Sequence, residues 1–84
     1  MLIYFTKHAE DKFVILEKRG VTISKEKIIE TLKNPDLVDK SRMPLLIAQS
    51  NLDRDRVLRV VYKQEEGFIK IITFYPGRKK QYEE

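Results

Sequence analysis

The chain has 84 residues, 42% hydrophobic and 36% charged, which is too apolar for a disordered chain and too charged for a membrane span, so one compact soluble domain over residues 1–84 is expected. Seventeen Lys and Arg against thirteen Asp and Glu leave a formal charge of +4, which points toward an anionic partner such as RNA, DNA or an acidic protein. The absence of cysteine excludes disulfides and thiolate metal sites and fits a reducing, cytoplasmic setting. "MLIYFTKH" has neither the long apolar stretch nor the cleavage site of a signal peptide, and no run approaches the roughly 20 apolar residues that cross a bilayer, so no membrane association is expected.

In chain order, "LIYF" at Leu2 to Phe5 is a short apolar run suited to a strand, and Thr6 after it is an N-cap. From Lys7 to Arg19 the spacing turns helical, with Ala9, Phe13 and Leu16 on one stripe and Gly20 where a left-handed C-terminal cap belongs. Ser24 caps a second helix whose apolar face is Ile28, Ile29 and Leu32, and Asn34-Pro35 ends it. After Pro35 the helical period does not return. "PLLIAQSN", "RVLRVVYK" and "GFIKIITFY" are rich in branched and aromatic residues and read as strands joined by "LDRD" and "QEEG". The expected fold is α+β in the order β-α-α-β-β-β, an antiparallel sheet with two helices packed on one face and the other face open for function.

The charges can then be placed. On the first helix His8, Lys12, Ile15 and Arg19 fall at offsets of four, three and four, a stripe beside the core face. It reads first as a solvated flank whose stems cover apolar atoms, and otherwise as part of a binding surface. In the strand from Arg56, alternation puts Arg59 and Lys63 on the face away from the helices. In the last strand it groups Phe68, Lys70, Ile72 and Phe74 on one face. If Lys70 points the same way as Arg59, the open face carries strand cations over an aromatic floor from Phe74, which suits an RNA backbone and a stacked base. The competing reading is that exposed basic residues discourage edge pairing. Pro76 and Gly77 are expected to interrupt the ladder, presenting Arg78 at a strand exit, with Lys79, Lys80 and Tyr82 in a basic tail that could form one helical turn.

"FTKHAEDKFVILEKRGVTISKEKIIETLKNP" and "RVLRVVYKQEEGFIKIITFYPGR" together resemble a family of small uncharacterised prokaryotic domains with a His-Ala…Arg-Gly pattern. That family is similar to the RelE and ParE toxin superfamily and to the BrnT ribonuclease toxins. The resemblance covers nearly the whole chain and implies a RelE-like sheet with helices on one side. It also implies a toxin of a type II toxin-antitoxin system, active on mRNA, alone or on the ribosome, and held by an antitoxin protein. RelE-type ribonucleases use basic strand residues, an arginine near the end of the last strand, and often a C-terminal tyrosine or histidine; the matching positions are Arg59, Lys70, Arg78 and Tyr82. The spacing from Arg78 to Tyr82 is shorter than in typical RelE sequences. Lys12 stands where relatives carry arginine, which keeps the charge and loses the two-pronged fork.

Metal-independent RNA cleavage by the 2′-hydroxyl needs a base, an acid and cations for the charge that develops on phosphorus. The expected catalytic set is Arg78, Tyr82, Arg59 and His8, with Lys12, Arg19, Lys63, Lys70, Lys79 and Lys80 binding nucleic acid. His8 is the only histidine and an unperturbed imidazole titrates near neutrality, though such a residue is also a common structural group at a helix start. Tyr75 or Tyr82 could move a proton only if cations lower a phenol pKa that is ordinarily about 10. No zinc-ligand spacing, glycine-rich phosphate loop or paired nucleophile and base is present, so neither metal nor cofactor is expected. Two readings compete with the ribonuclease. One is a non-catalytic module of the same fold that binds nucleic acid, ribosome or gyrase; the other is a protein-interaction module.

Overall fold

The computed structural model describes residues 2–82. The elements are β1 (Leu2–Phe5), α1 (Lys7–Lys18), α2 (Lys25–Lys33), β2 (Leu37–Asp39), β3 (Leu45–Asn51), β4 (Arg56–Glu65), β5 (Phe68–Arg78) and α3 (Lys79–Tyr82). Among the described residues no helix is long and apolar enough to cross a membrane.

Both long helices begin where a side-chain oxygen can accept from an otherwise unpaired helical N–H. Thr6 is extended and its Oγ1 accepts from the Ala9 N–H at 3.1 Å; Ser24 does the same for Lys27 at 3.1 Å. Each such cap is worth about 1 kcal/mol. Thr6 is used twice, because its hydroxyl also donates to the Ile72 carbonyl at 3.1 Å and so ties the start of α1 to β5. Gly20 ends the first helix at φ 82°, a left-handed conformation that an L side chain resists.

The five strands lie in the order β1-β5-β4-β3-β2. Neighbours are antiparallel except β1, which runs parallel to β5 with Leu2 beside Phe68 and Phe5 beside Ile71. The fold is therefore α+β as expected, but the sheet is mixed and the element order carries an extra strand, β2, and a terminal turn of helix. The chain leaves β1 through the two helices, enters the sheet at the far edge and works back. Its last strand thus meets its first running in the same direction, the crossover arrangement that a parallel pair requires.

Ala9 and Leu16 of α1 and Ile28 of α2 share one buried cluster with Leu58, Val60, Ile69, Ile71 and Phe74. Both helices therefore cover the same sheet face. Phe13 links the parts, with ring centroids 5.9 Å from Phe5 and 4.6 Å from Phe74. Fully buried side chains of this size contribute roughly 1.5–3 kcal/mol each. Thr31 and Ser50, also buried, satisfy one another across the α2–β3 joint at 2.6 Å.

Two expectations about β5 are corrected. Val61 pairs with Thr73 and Tyr62 with Ile71, leaving Ile72 as the extra residue of a bulge. The side-chain phase therefore switches within the strand. Phe74 joins Ile69 and Ile71 in the core and does not floor the open face; Thr73 and Tyr75 take that face with Lys70. Nor do Pro76 and Gly77 break the ladder, since β5 continues opposite Leu58 and Val57 to Arg78. β1 ends beside Ile71, so the outer edge of β5 is unpaired there and a proline removes no ladder bond.

Candidate functional site: a central arginine and a basic cleft

Register fixes which side chains share the face away from α1 and α2. Gln49, Arg59 and Tyr75 form one row across β3, β4 and β5, and Asn51, Val57 and Gly77 form the next toward the chain end. Gly77 is where α3 closes back. A Cβ built on it would clash with Cε2 and Cδ2 of the Tyr82 ring, so glycine is what lets that ring approach the strand this closely.

Arg59 is on the expected face but is not displayed, being 5% exposed. Its Nη2 donates to Asp39 Oδ2 at 3.0 Å, Nη1 to Gln49 Oε1 at 2.6 Å, and Nε to the Tyr75 hydroxyl at 3.1 Å. The guanidinium lies 4.2 Å from the centroid of the Tyr82 ring. Burial works against its charge, and the hydrogen bonds to Tyr75 and Asp39 outweigh it, so its pKa is raised above the ordinary arginine value. Asp39 is held at about 2 by the Ser41 hydroxyl, the Ser41 backbone N–H and Arg59 in turn. The planar fork of arginine is what allows three separate partners to be served at once. The arrangement brings together Arg59 and Tyr82, both expected in the site, and makes of them a clamp joining β2, β3, β4, β5 and α3.

The accessible cations lie elsewhere. Asp53, Arg54 and Asp55 of the β3–β4 turn and Arg56 at the start of β4, with Arg78, Lys79 and Lys80 from the end of β5 and α3, line an open cleft of about 590 Å³. The Asp53 carboxylate organises the turn by accepting from the Asp55 and Arg56 backbone N–H groups, an Asx-type arrangement. It also holds the Arg56 guanidinium at 2.6 and 2.8 Å. That fork and the Asp55 N–H lower the Asp53 pKa. The Lys79 N–H donates to the Asp55 carbonyl at 3.0 Å and fastens the two walls together. With Asp53 and Arg56 cancelling, Arg54, Arg78, Lys79 and Lys80 share the cleft with one further carboxylate, Asp55, among the described residues. None of the four has an ion-pair partner among the described residues.

The other expected residues fall in three places. His8 is exposed at the rim of β5, its Nε2 3.1 Å from Thr73 Oγ1. Thr73 and Arg78 are five positions apart on one strand, about 17 Å, so the imidazole and the cleft do not converge on one phosphate. Lys12 and Arg19 ride α1 on the opposite side of the sheet from Lys63 and Lys70. Lys63 and Lys70 stand directly opposite each other near the β4–β5 hairpin. Sequence reasoning did not single out Arg54, Arg56, Asp39 or Gln49. The run "DRDR" at Asp53 to Arg56 held the one local signal, an aspartate followed by the arginine three residues on that it binds.

Among the described residues no group of three or more His, Asp or Glu side chains is placed to hold a metal ion. Comparison with protein families, characterised proteins and solved structures found no match to this chain.

Proposed function

We propose that the protein binds RNA, gripping the phosphate backbone in the cleft between the β3–β4 turn and the chain end. The observation that carries this reading is the convergence of Arg54, Arg78, Lys79 and Lys80 on one open cavity, fixed by a backbone hydrogen bond between its walls. Two chain segments far apart in sequence supply like charges to one place, a self-repelling arrangement that a polyanion relieves. The proposal keeps the RNA-directed, RelE-like reading that the sequence resemblance implies, with Arg78, Lys79 and Lys80 as backbone contacts. Arg59 serves as the clamp that shapes the face.

The test is fluorescence anisotropy of a labelled single-stranded RNA at rising salt. Affinity is expected to fall linearly on logarithmic axes, and Arg78→Ala is expected to reduce the slope by about 1, the share of one phosphate contact. Binding that ignores salt would overturn the reading in favour of a protein-interaction module.

A second reading, a toxin that cuts mRNA without a metal and is held by an antitoxin, is favoured by the exposed His8 imidazole on Thr73, two strand positions from Tyr75. End-labelled mRNA, alone and on ribosomes, is the substrate to use. Products ending in 2′,3′-cyclic phosphate that vanish with His8→Ala support it; intact RNA in both settings rejects it and leaves a non-catalytic binder.

A further inference from the structure

A second cavity, about 500 Å³, lies at the opposite end of β5 from the cleft and is lined by Leu2, Ile3, Tyr4, Glu65, Phe68 and Lys70. Its volume is within the range of about 300–1,000 Å³ common for small-ligand sites. Leu2 and Tyr4 are 72% and 57% exposed, an unusual outlay of apolar surface on a strand at the sheet edge. Register sets Tyr4 beside Lys70 and Lys70 opposite Lys63, all on the face away from the helices. Two lysines directly across a strand pair repel each other. Lys63 is relieved in part by Glu65 at 3.5 Å, and Lys70 has no ion-pair partner among the described residues.

We infer that this cavity is a nucleotide subsite for single-stranded RNA, with an unpaired base on Tyr4, Phe68 and Leu2 and its phosphate on Lys70, the cation that lines it, with Lys63 across the strand pair behind. An apolar aromatic surface beside two opposed cations matches the two halves of a nucleotide: a flat ring that stacks and an anion that follows it. A protein strand added along β1 would satisfy the edge but would lie about 10 Å from β5 and leave the lysine pair uncancelled. The inference rests on the reading that the protein binds RNA and adds a strand requirement to it. Lys70 and Arg78 are eight positions apart on β5, about 26 Å, so the subsite and the cleft are separate footholds for one RNA. Only an unpaired base presents a face to Tyr4, whereas the cleft cations accept a duplex backbone equally well.

The test is a titration of isotope-labelled protein with oligouridylate and oligoadenylate of about six nucleotides and with a fully paired RNA duplex, followed by amide chemical shifts and by anisotropy. With single strands the amides of Leu2 to Tyr4 and Phe68 to Lys70 are expected to shift; with duplex only those of the cleft. Tyr4→Ala is expected to weaken single-strand binding about tenfold and leave duplex binding unchanged, while Tyr4→Phe, which keeps the ring, retains it. Lys70→Gln is expected to lower the salt slope for single strands alone. Cleft shifts without shifts at Leu2 to Tyr4, or equal loss for single strand and duplex in Tyr4→Ala, would overturn the subsite and leave the cleft reading standing. Absence of shifts anywhere would remove both. A mass that doubles with concentration and reverts with Tyr4→Lys would overturn the subsite by assigning this edge to a second copy of the chain.

Discussion

Arg59 separates two uses of a buried cation, because a guanidinium that already serves Asp39, Gln49 and Tyr75 under the Tyr82 ring has little left to offer a ligand. Arg59→Met is expected to lower unfolding free energy by about 2–3 kcal/mol in urea titrations, since it strands the buried Gln49 Oε1 and removes the donor to Asp39 Oδ2, leaving Asp39 only its Ser41 contacts. Cleft binding in the molecules that remain folded is expected to persist. Asp39 gives a pH signature. Its carboxyl is depressed from 3.8 to about 2 in the folded protein, so the unfolded chain binds a proton more readily over that interval. The associated stability is fully present above pH 3.8 and is lost as pH falls through about 2. Asp39→Asn is therefore expected to flatten the dependence of the urea midpoint on pH between these limits. Arg59 could be assigned to the open face from alternation alone. Its partners lie 10, 16 and 20 residues away in sequence, and no local pattern announces pairs that distant, so its burial was not legible.

Among elements, the helices were the most legible because their ends are decided locally, by the hydroxyls of Thr6 and Ser24 and by the positive φ of Gly20. β2 was missed because three residues carry no period; it exists because Leu37 to Asp39 finds a ladder on β3. The bulge at Ile72 was invisible for a related reason, since an extra residue is defined by its partner strand. α3 has only four residues, too few to be stable alone. Its position comes from the Tyr82 ring on Gly77 and the Lys79 N–H on Asp55. Gly77→Ala is expected to displace the ring and destabilise the protein by about 1–3 kcal/mol, as overpacking does. In a Tyr82→Ala background the same change is expected to cost little. A thermal-denaturation double-mutant cycle measures that difference, and additive effects would show that the tail does not rest on the glycine.

At the scale of the whole molecule, accessible basic residues stand in the cleft, at the Lys63–Lys70 pair and along α1, with others, Lys25, Lys33, Lys40 and Arg42, on α2 and the β2–β3 connection. Net charge alone suggested one anionic partner and could not say that one group of cations would stand at each end of β5. Raising salt is expected to weaken RNA binding while leaving the core-determined unfolding midpoint nearly constant, a contrast read from anisotropy and denaturation on the same samples. The pairing of β1 with β5 also orders events in time. Leu2 to Phe5 is made well before the residues that lie beside it, Phe68 to Ile71. During synthesis the nascent chain must carry an uncovered Leu-Ile-Tyr-Phe strand until Phe68 to Ile71 have been translated, because the segment that shields it does not yet exist. The sheet cannot close before β5 emerges, and the interval before closure is when this chain is most open to capture by a chaperone or by another copy of itself.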